Sequence, residues 1–388
     1  MYKRQVPFKI FDKKNAEKLF GKNLNISASQ LEKFNLCRFS YFCNYGLNVR
    51  ERQRAEINSM QYGTIVHYIL ERFFGEYTKE EYLSLEEDKF QKIVCAYLAE
   101  YAVKYFGEEQ LESNSFTYRL KTILDNVMYL MKHIMEELSQ SEFFVADCEL
   151  KIGEDIPSYT IVLPDGHKIA VCGSVDRVDI MQRADITYLR IIDYKTGTKQ
   201  FKLSDILYGI NLQMLLYLHS IEASGGDKYG EIVPAGILYM PATVPYISSD
   251  SLKSIDKLPD ELNKKLKMNG LLLKDTEIIH GMDKTDAATY IPVKIKAGEP
   301  VSSTSLATLA EFGKIFKKVD MLIAEMGKNI YNGNIEAKPL KGGHDSCEYC
   351  PYDSVCAYRQ SNPITCFSVD NKTVIEEITN EINGKEEE

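Results

Sequence analysis

Two short runs of this 388-residue chain concentrate its reactive side chains: Gly173-Ser174-Val175-Asp176-Arg177-Val178-Asp179, then Arg190-Ile191-Ile192-Asp193-Tyr194-Lys195-Thr196-Gly197. Taken as hairpin neighbours, they fold about the point between Ala184 and Asp185, inside the polar stretch Gln182-Arg183-Ala184-Asp185, and Asp176 then faces Asp193. Side chains alternate along a strand, so Asp193 and Lys195 share one side, Tyr194 points away, and Asp179 takes the face opposite to Asp176. Two carboxylates beside an amine are costly to gather on an apolar sheet unless a cation neutralises them. Mg2+ is the natural candidate, a hard ion that accepts carboxylate oxygens and keeps waters and a substrate phosphate. Such a site supports phosphodiester hydrolysis: the metal polarises a phosphoryl oxygen and acidifies a bound water. Lys195 then orients or deprotonates that water, or meets the charge building on the phosphate. His67 completes the metal sphere or contacts the phosphate. The plainer alternative makes Asp176 and Asp193 surface residues paired with Arg177 and Lys195.

A second set of reactive groups is the C-x2-C-x5-C knot of Cys347, Cys350 and Cys356. Three thiolates in ten residues fit Zn2+ or a [4Fe–4S] cluster, both commonly held by four sulfurs. The fourth ligand must come from far away. Cys37 is the best donor, with Cys43 and His344 as rivals. Binding would join distant parts of the chain and so add to folding free energy. Cys43, Cys95, Cys148, Cys172 and Cys366 lack such spacing and read as small buried side chains or incidental thiols.

The elements that position these groups follow from periodicity. Ser29-Gln30-Leu31-Glu32 has capping-box spacing, predicting a helix from Ser29 that carries Leu31, Phe34 and Cys37. The run from Gly63 to Glu71 predicts a helix with His67 and Glu71 on one face. Two longer helices are expected over 79–106 and 115–139. Segments 143–151, 168–180 and 188–195, rich in Val, Ile and Tyr, read as strands. Helical periodicity returns over 205–223, a strand is expected over 234–240 and a long helix over 302–331, while 245–300 resists assignment.

Composition bounds the class. With 44% hydrophobic and 27% charged residues the chain has the make-up of an ordinary globular protein. No apolar run is long enough to span a bilayer and no signal-peptide pattern is present, so a cytoplasmic location is the default. A net charge of −9 runs against polyphosphate binding. Glu376, Glu377, Glu381, Glu386, Glu387 and Glu388 supply part of it, and Arg50, Arg52 and Arg54 form either a local basic strip or a solvated surface.

The order His67, Asp176, Asp193-Tyr194-Lys195, then Gln213-Met214-Leu215-Leu216-Tyr217-Leu218 resembles the RecB-type branch of the PD-(D/E)xK nucleases, over residues 27 to 360. The resemblance implies an α/β fold with a central mixed sheet flanked by helices. It implies that His67, Asp176, Asp193 and the Tyr194 carbonyl bind the metal, that Lys195 is catalytic, and that Gln213 and Tyr217 line the same cleft; for Tyr217 ordinary packing is the alternative. Glu149, on the preceding strand, is a weaker candidate. The phrase around Cys37 together with the cysteine knot resembles the iron–sulfur staple of AddB-type subunits of bacterial AddAB helicase–nucleases. These usually have Pro after the first cysteine, where this chain has Arg38, and that leaves the ligand in place. The resemblance implies a DNA exonuclease acting on single-stranded ends, a role in double-strand break processing, and an AddA-type helicase/nuclease partner. Tyr208 and Tyr217 are candidates for stacking on bases, although core packing is the commoner fate. A free-standing exonuclease of the kind used in CRISPR spacer acquisition shares the pattern. A non-catalytic cluster-stabilised DNA-binding module is the reading from another class. No phosphate-binding G-x4-G-K-[ST] loop is present. The chain accordingly reads as the C-terminal nuclease portion of a longer subunit: 1–26 a remnant of an upstream region, 27–361 the nuclease domain with its clasp, 362–388 an acidic tail. Met1-Tyr2-Lys3-Arg4-Gln5 looks like translated adapter DNA, which suits a truncated gene.

Overall fold

A computed structural model of the chain describes residues 9–50, 59–197, 200–245, 247, 258–285, 287–302, 304–356, 358 and 363–386. The adapter-like first residues, Arg52 and Arg54 lie outside these. A six-stranded mixed sheet forms the centre, in the order Leu306–Ala307, Asn269–Leu273, Glu231–Pro241, Ile186–Lys195, Gly173–Arg183, Phe144–Ile152. The last three are antiparallel neighbours, whereas Ile186–Lys195 and Glu231–Pro241 run parallel, joined through the helix Gln213–Ser224. That helix is buried on all sides over 214–221, so it reads as an apolar run rather than a stripe. Pro234 has no N–H for the ladder, and the parallel register slips beside it, from Leu189 opposite Pro234 to Arg190 opposite Gly236. The α/β expectation holds.

Boundaries differ from expectation where tertiary partners intervene. The helix is Ala28–Leu36, capped by Ser27 with Gln30 completing the box. The strand Asn23–Ile26 runs up to Ser27, which makes that hydroxyl the first able to cap, and Glu32 is drawn instead to the Leu212 amide at 2.8 Å. Cys37 is not on a helix: it sits extended (φ −169°) at the break before Arg38–Tyr41. The 79–106 helix is interrupted into Lys79–Leu83 and Glu87–Phe106. The 168–180 strand is likewise two, Lys168–Val171 pairing in a small sheet with Asn23–Ile26 and Thr160–Val162, and Gly173–Arg183 in the main one. The 205–223 segment divides into a 3-10 turn, Leu203–Tyr208, and Gln213–Ser224, and the long helix starts late, as Leu309–Tyr331.

Two segments expected to lie outside the 27–361 domain share its core. Asn23–Ile26, in the expected remnant, pairs parallel with Lys168–Val171. The expected acidic tail contains the helix Asn371–Glu386, whose Val374, Ile378 and Ile382 join the main core and whose Glu381 pairs with Lys318.

Candidate active site

Register aligns the acids. Arg177 pairs with Ile192 and Arg183 with Ile186, which leaves Ala184-Asp185 as the turn and sets Asp176 against Asp193, as the hairpin midpoint predicts. Ala184 takes the left-handed φ of +50° that opens the turn. On the other side Cys148 pairs with Arg177 and Leu150 with Val175, so Glu149 lies opposite Asp176. Asp193 in turn pairs with Tyr239 on the parallel neighbour. One row thus crosses four strands: Glu149, Asp176, Asp193, Tyr239. Glu149 adopts φ +51°, a conformation costly for a side chain with a Cβ. It is held there by Ser174, whose hydroxyl donates to Oε2 at 2.8 Å, and by His67, whose Nδ1 lies 3.0 Å from Oε1.

His67 comes from the helix Ser59–Glu76, with its ring edge-on to Tyr194 at 5.8 Å, and its Nδ1 is 3.7 Å from Asp176 Oδ2. His67, Glu149 and Asp176 offer ligand atoms all within 4.8 Å of one another. The Tyr194 amide donates to Asp176 Oδ2 at 2.9 Å. Lys195 Nζ lies 2.6 Å from Asp193 Oδ2 and 5.9 Å from the centre of the Tyr239 ring. Asp193 is 2% exposed, and its Oδ2 has that ion contact but no hydrogen bond of sound geometry.

The electrostatics follow from this crowding. Burial, then the Asp193 charge, pushes the Asp176 carboxyl up to about 7. Burial alone would lower His67, but the Glu149 hydrogen bond and the Asp176 charge outweigh it and raise it. Burial would raise Glu149, and the bonds from His67 and Ser174 bring it below the usual carboxylate range. Three carboxylates with one lysine and one histidine form an oxygen-rich, under-neutralised donor set of the kind that suits a hard divalent cation.

Gln213 opens its helix half-buried, one turn before Tyr217. Tyr217 is buried, with its hydroxyl against Gly173: a Cβ on that glycine would fall 2.2 Å from Tyr217 Oη. Burial raises its phenol to about 12, and a backbone hydrogen bond from Ala28 offsets part of this. Tyr208 is half-buried and its hydroxyl accepts from the Phe367 amide. The Tyr217 ring is packed away from any base, whereas Tyr208 lines a cavity of about 350 Å³ with Gly343, His344 and Phe367. Nothing local in the sequence singles out Tyr239, because the parallel pairing that places it has no local signal. Arg177, which the plainer reading paired with Asp176, bonds elsewhere.

The cysteines gather as well. Cys37, Cys43, Phe39 and Tyr352 form a small buried cluster with Cys350 and Cys356 against it. Burial, then the charges of Cys350, Cys356 and Cys37, pushes the Cys43 thiol up to about 11; burial also raises Cys37 and Cys356. The Tyr352 hydroxyl donates to the Val49 carbonyl at 2.7 Å, tying the knot to the N-terminal segment. The Cys347 amide donates to Asp345 Oδ1 at 2.8 Å, at the turn after Leu340–Gly342. Cys43, without the knot's spacing but a rival for the fourth ligand, thus lies among the thiols.

Compared with known proteins, residues 25–357 match the PD-(D/E)XK nuclease superfamily. The chain belongs to that superfamily. It is also similar to proteins named as one of the subunits of an ATP-dependent helicase/deoxyribonuclease: 35% identical over 98% of this chain to that of Clostridium kluyveri (strain NBRC 12016), and 34% over 92% to that of Thermoanaerobacter sp. (strain X514). That of Clostridium acetobutylicum is 33% identical over 92%. The chain spans about a third of the length of these relatives: 34%, 32% and 32%. Among the described residues no helix is long and apolar enough to cross a membrane.

Proposed function

We propose that the chain is the Mg2+-dependent DNA exonuclease part of an AddAB-type helicase–nuclease. It acts in the cytoplasm on single-stranded ends delivered with an AddA-type helicase/nuclease subunit, in processing double-strand breaks for recombinational repair. One observation carries the reading: the register that lines up Glu149, Asp176 and Asp193, with Lys195 two residues on and His67 alongside. The names of the similar proteins support the setting.

In this reading His67, Asp176 and Asp193, with the Tyr194 carbonyl, hold Mg2+, which when bound polarises the phosphoryl group and acidifies a water. Glu149 fixes the His67 ring through Nδ1. The Tyr194 amide fixes the Asp176 carboxylate. Lys195, at the open end of its strand, orients the attacking water or meets the charge on the phosphate. Gln213 and Tyr217 hold the wall of the cleft. Cleavage of a single-stranded oligonucleotide by wild type beside Asp193→Ala tests the assignment. Loss of at least about a thousandfold is expected for a site whose metal supplies the nucleophile; equal activity contradicts it.

Cys37, Cys347, Cys350 and Cys356 hold a [4Fe–4S] cluster as a structural clasp in this reading. These thiols and Cys43 act on one another: a charge on Cys356 raises Cys37, charges on Cys350 and Cys347 raise Cys356, and charges on Cys350, Cys356 and Cys37 raise Cys43. Thiolates gathered so closely repel unless a cationic group neutralises them, and soft sulfur donors suit iron–sulfur clusters. The staple-like phrase around Cys37 favours iron over zinc. Anaerobically purified protein should contain iron and sulfide in equal amounts. A zinc-only result contradicts the clasp.

A further inference from the structure

A groove begins where the Lys195 strand ends. The Ala242 amide donates to the Lys195 carbonyl at 2.8 Å, and the Tyr62 hydroxyl donates to the Ala242 carbonyl at 3.0 Å. These bonds pin the His67 helix and two strand ends together at the mouth. The next residues, Thr196 and Gly197, line a cavity of about 800 Å³ with Pro241, Lys264, Lys265 and Lys267. A second, adjacent cavity of about 580 Å³ has Lys267 in common with the first and is lined further by Lys294 and Lys296.

The two linings hold Lys264, Lys265, Lys267, Lys294 and Lys296 and, among the described residues, no Asp or Glu. In a chain of net charge −9 this is segregation of charge. Among the described residues, the neighbouring acids lie outside both linings. Glu261 pairs with Lys264 at 2.7 Å, and Glu299, across the hairpin from Lys296, accepts from the Thr276 hydroxyl at 2.6 Å. Lys267 is fixed in place, its amine donating to the Ala288 and Val293 carbonyls at 2.6 and 3.0 Å. Lys265, Lys294 and Lys296 are exposed. Phe201, Pro241 and Val244 give the same groove an apolar wall. A cationic floor with an apolar wall, opening at a phosphodiester-cleaving centre, is what a single nucleic-acid strand requires: charge for its phosphates and surface for its bases.

We propose that this groove is the track along which a single DNA strand runs to or from the carboxylate row, with Lys265, Lys294 and Lys296 contacting its phosphates. The inference rests on the nuclease reading above and gives that site its substrate path.

The test uses the full chain and the variant Lys265→Glu/Lys294→Glu/Lys296→Glu. Binding of labelled oligodeoxythymidylate is measured in EDTA across a salt series, and hydrolysis of thymidine 5′-p-nitrophenyl phosphate, too short to reach the track, is measured with Mg2+. Binding should weaken about tenfold or more, and the salt slope should flatten by roughly 2, at about 0.7 for each phosphate no longer neutralised. Hydrolysis of the small ester should be unchanged. Wild-type affinity and slope in the variant overturn the track. If the reversals lower the melting temperature, Lys265→Gln/Lys294→Gln/Lys296→Gln decides, since it removes charge without adding repulsion: a flattened slope supports the track, an unchanged one overturns it. Failure of wild type to cleave either substrate would instead strike the nuclease reading, and the EDTA binding would still report on the groove.

Discussion

Two clusters of ionisable groups occupy alternate residues of the same two strands and are built on opposite terms. On one side Arg177, Asp179 and Arg190 meet Glu137 from the helix Asn114–Gln140, all fully buried. Arg177 grips Asp179 through Nε and Nη2 at 2.8 and 2.7 Å, Arg190 reaches Asp179 at 3.0 Å and Glu137 at 2.6 Å, and the Arg190 guanidinium lies over the Phe143 ring. Two cations answer two anions. On the other side Glu149, Asp176 and Asp193 face Lys195 and His67, the Asp176 carboxyl is pushed up to about 7, and Asp193 Oδ2 has no sound hydrogen bond. Tyr194 belongs to both: its amide donates to Asp176 and its hydroxyl accepts from Arg177 at 3.4 Å. Buried charge answered one for one holds strands in register, even though Arg190 Nη1 makes no hydrogen bond. Buried charge left short of a cation stores an affinity for one.

The largest effect should come from breaking the balanced cluster. Arg177→Met leaves Asp179 and Glu137 under-paired and should cost about 3–5 kcal/mol, read by urea denaturation. A loss below about 1 kcal/mol would mean the cluster is not what fixes the strands.

The under-neutralised cluster should respond with the opposite sign. A carboxyl raised from near 4 to about 7 disfavours the charged folded state, so its cost is absent below pH 4 and grows until the pH passes about 7. In EDTA, Asp176→Asn should therefore leave stability unchanged at pH 4 and raise it by roughly 2 kcal/mol at pH 8. Destabilisation at pH 8 would erase the contrast. Asp179 runs the other way: burial would raise it, but Arg177 and Arg190 hold it below its ordinary value, so its stabilisation is lost only in acid.

Smaller effects sharpen the comparison. Glu149→Gln keeps the backbone and loosens the His67 ring, and should weaken Mg2+ affinity about tenfold, as removal of a partner behind a metal ligand does; calorimetric titration reads it. Tyr194→Phe keeps the amide bond to Asp176 and loses one long bond to Arg177. It should cost about 1 kcal/mol or less in urea denaturation. A loss as large as that of Arg177→Met would make the phenol a full member of the balanced cluster rather than a link between the two.

The facing pair Asp176 and Asp193 was legible in the sequence because a two-residue turn makes register a matter of counting. Glu149 was not fully legible: residues 153–172 leave the sheet to form two strands elsewhere, so no midpoint exists, and its left-handed backbone has no residue signature. The cysteine knot announced itself by spacing, whereas the arrival of Cys43 beside it depends on the π-helical turn Phe42–Gly46 after the break at Cys37. The C-terminal helix was hidden by its glutamates, although Val374, Ile378 and Ile382 repeat every four residues along one face. The lysine groove joins residues 196 to 296 from segments whose periodicity is weak.

A crystal of the chain grown with Mn2+ in place of Mg2+ tests the central claim most directly, because anomalous scattering locates the ion. The account predicts a peak at about 2.0–2.3 Å from oxygens of both Asp176 and Asp193, within reach of a His67 ring nitrogen. Saturating Mn2+ with no peak there, or a peak touching neither carboxylate, would contradict it.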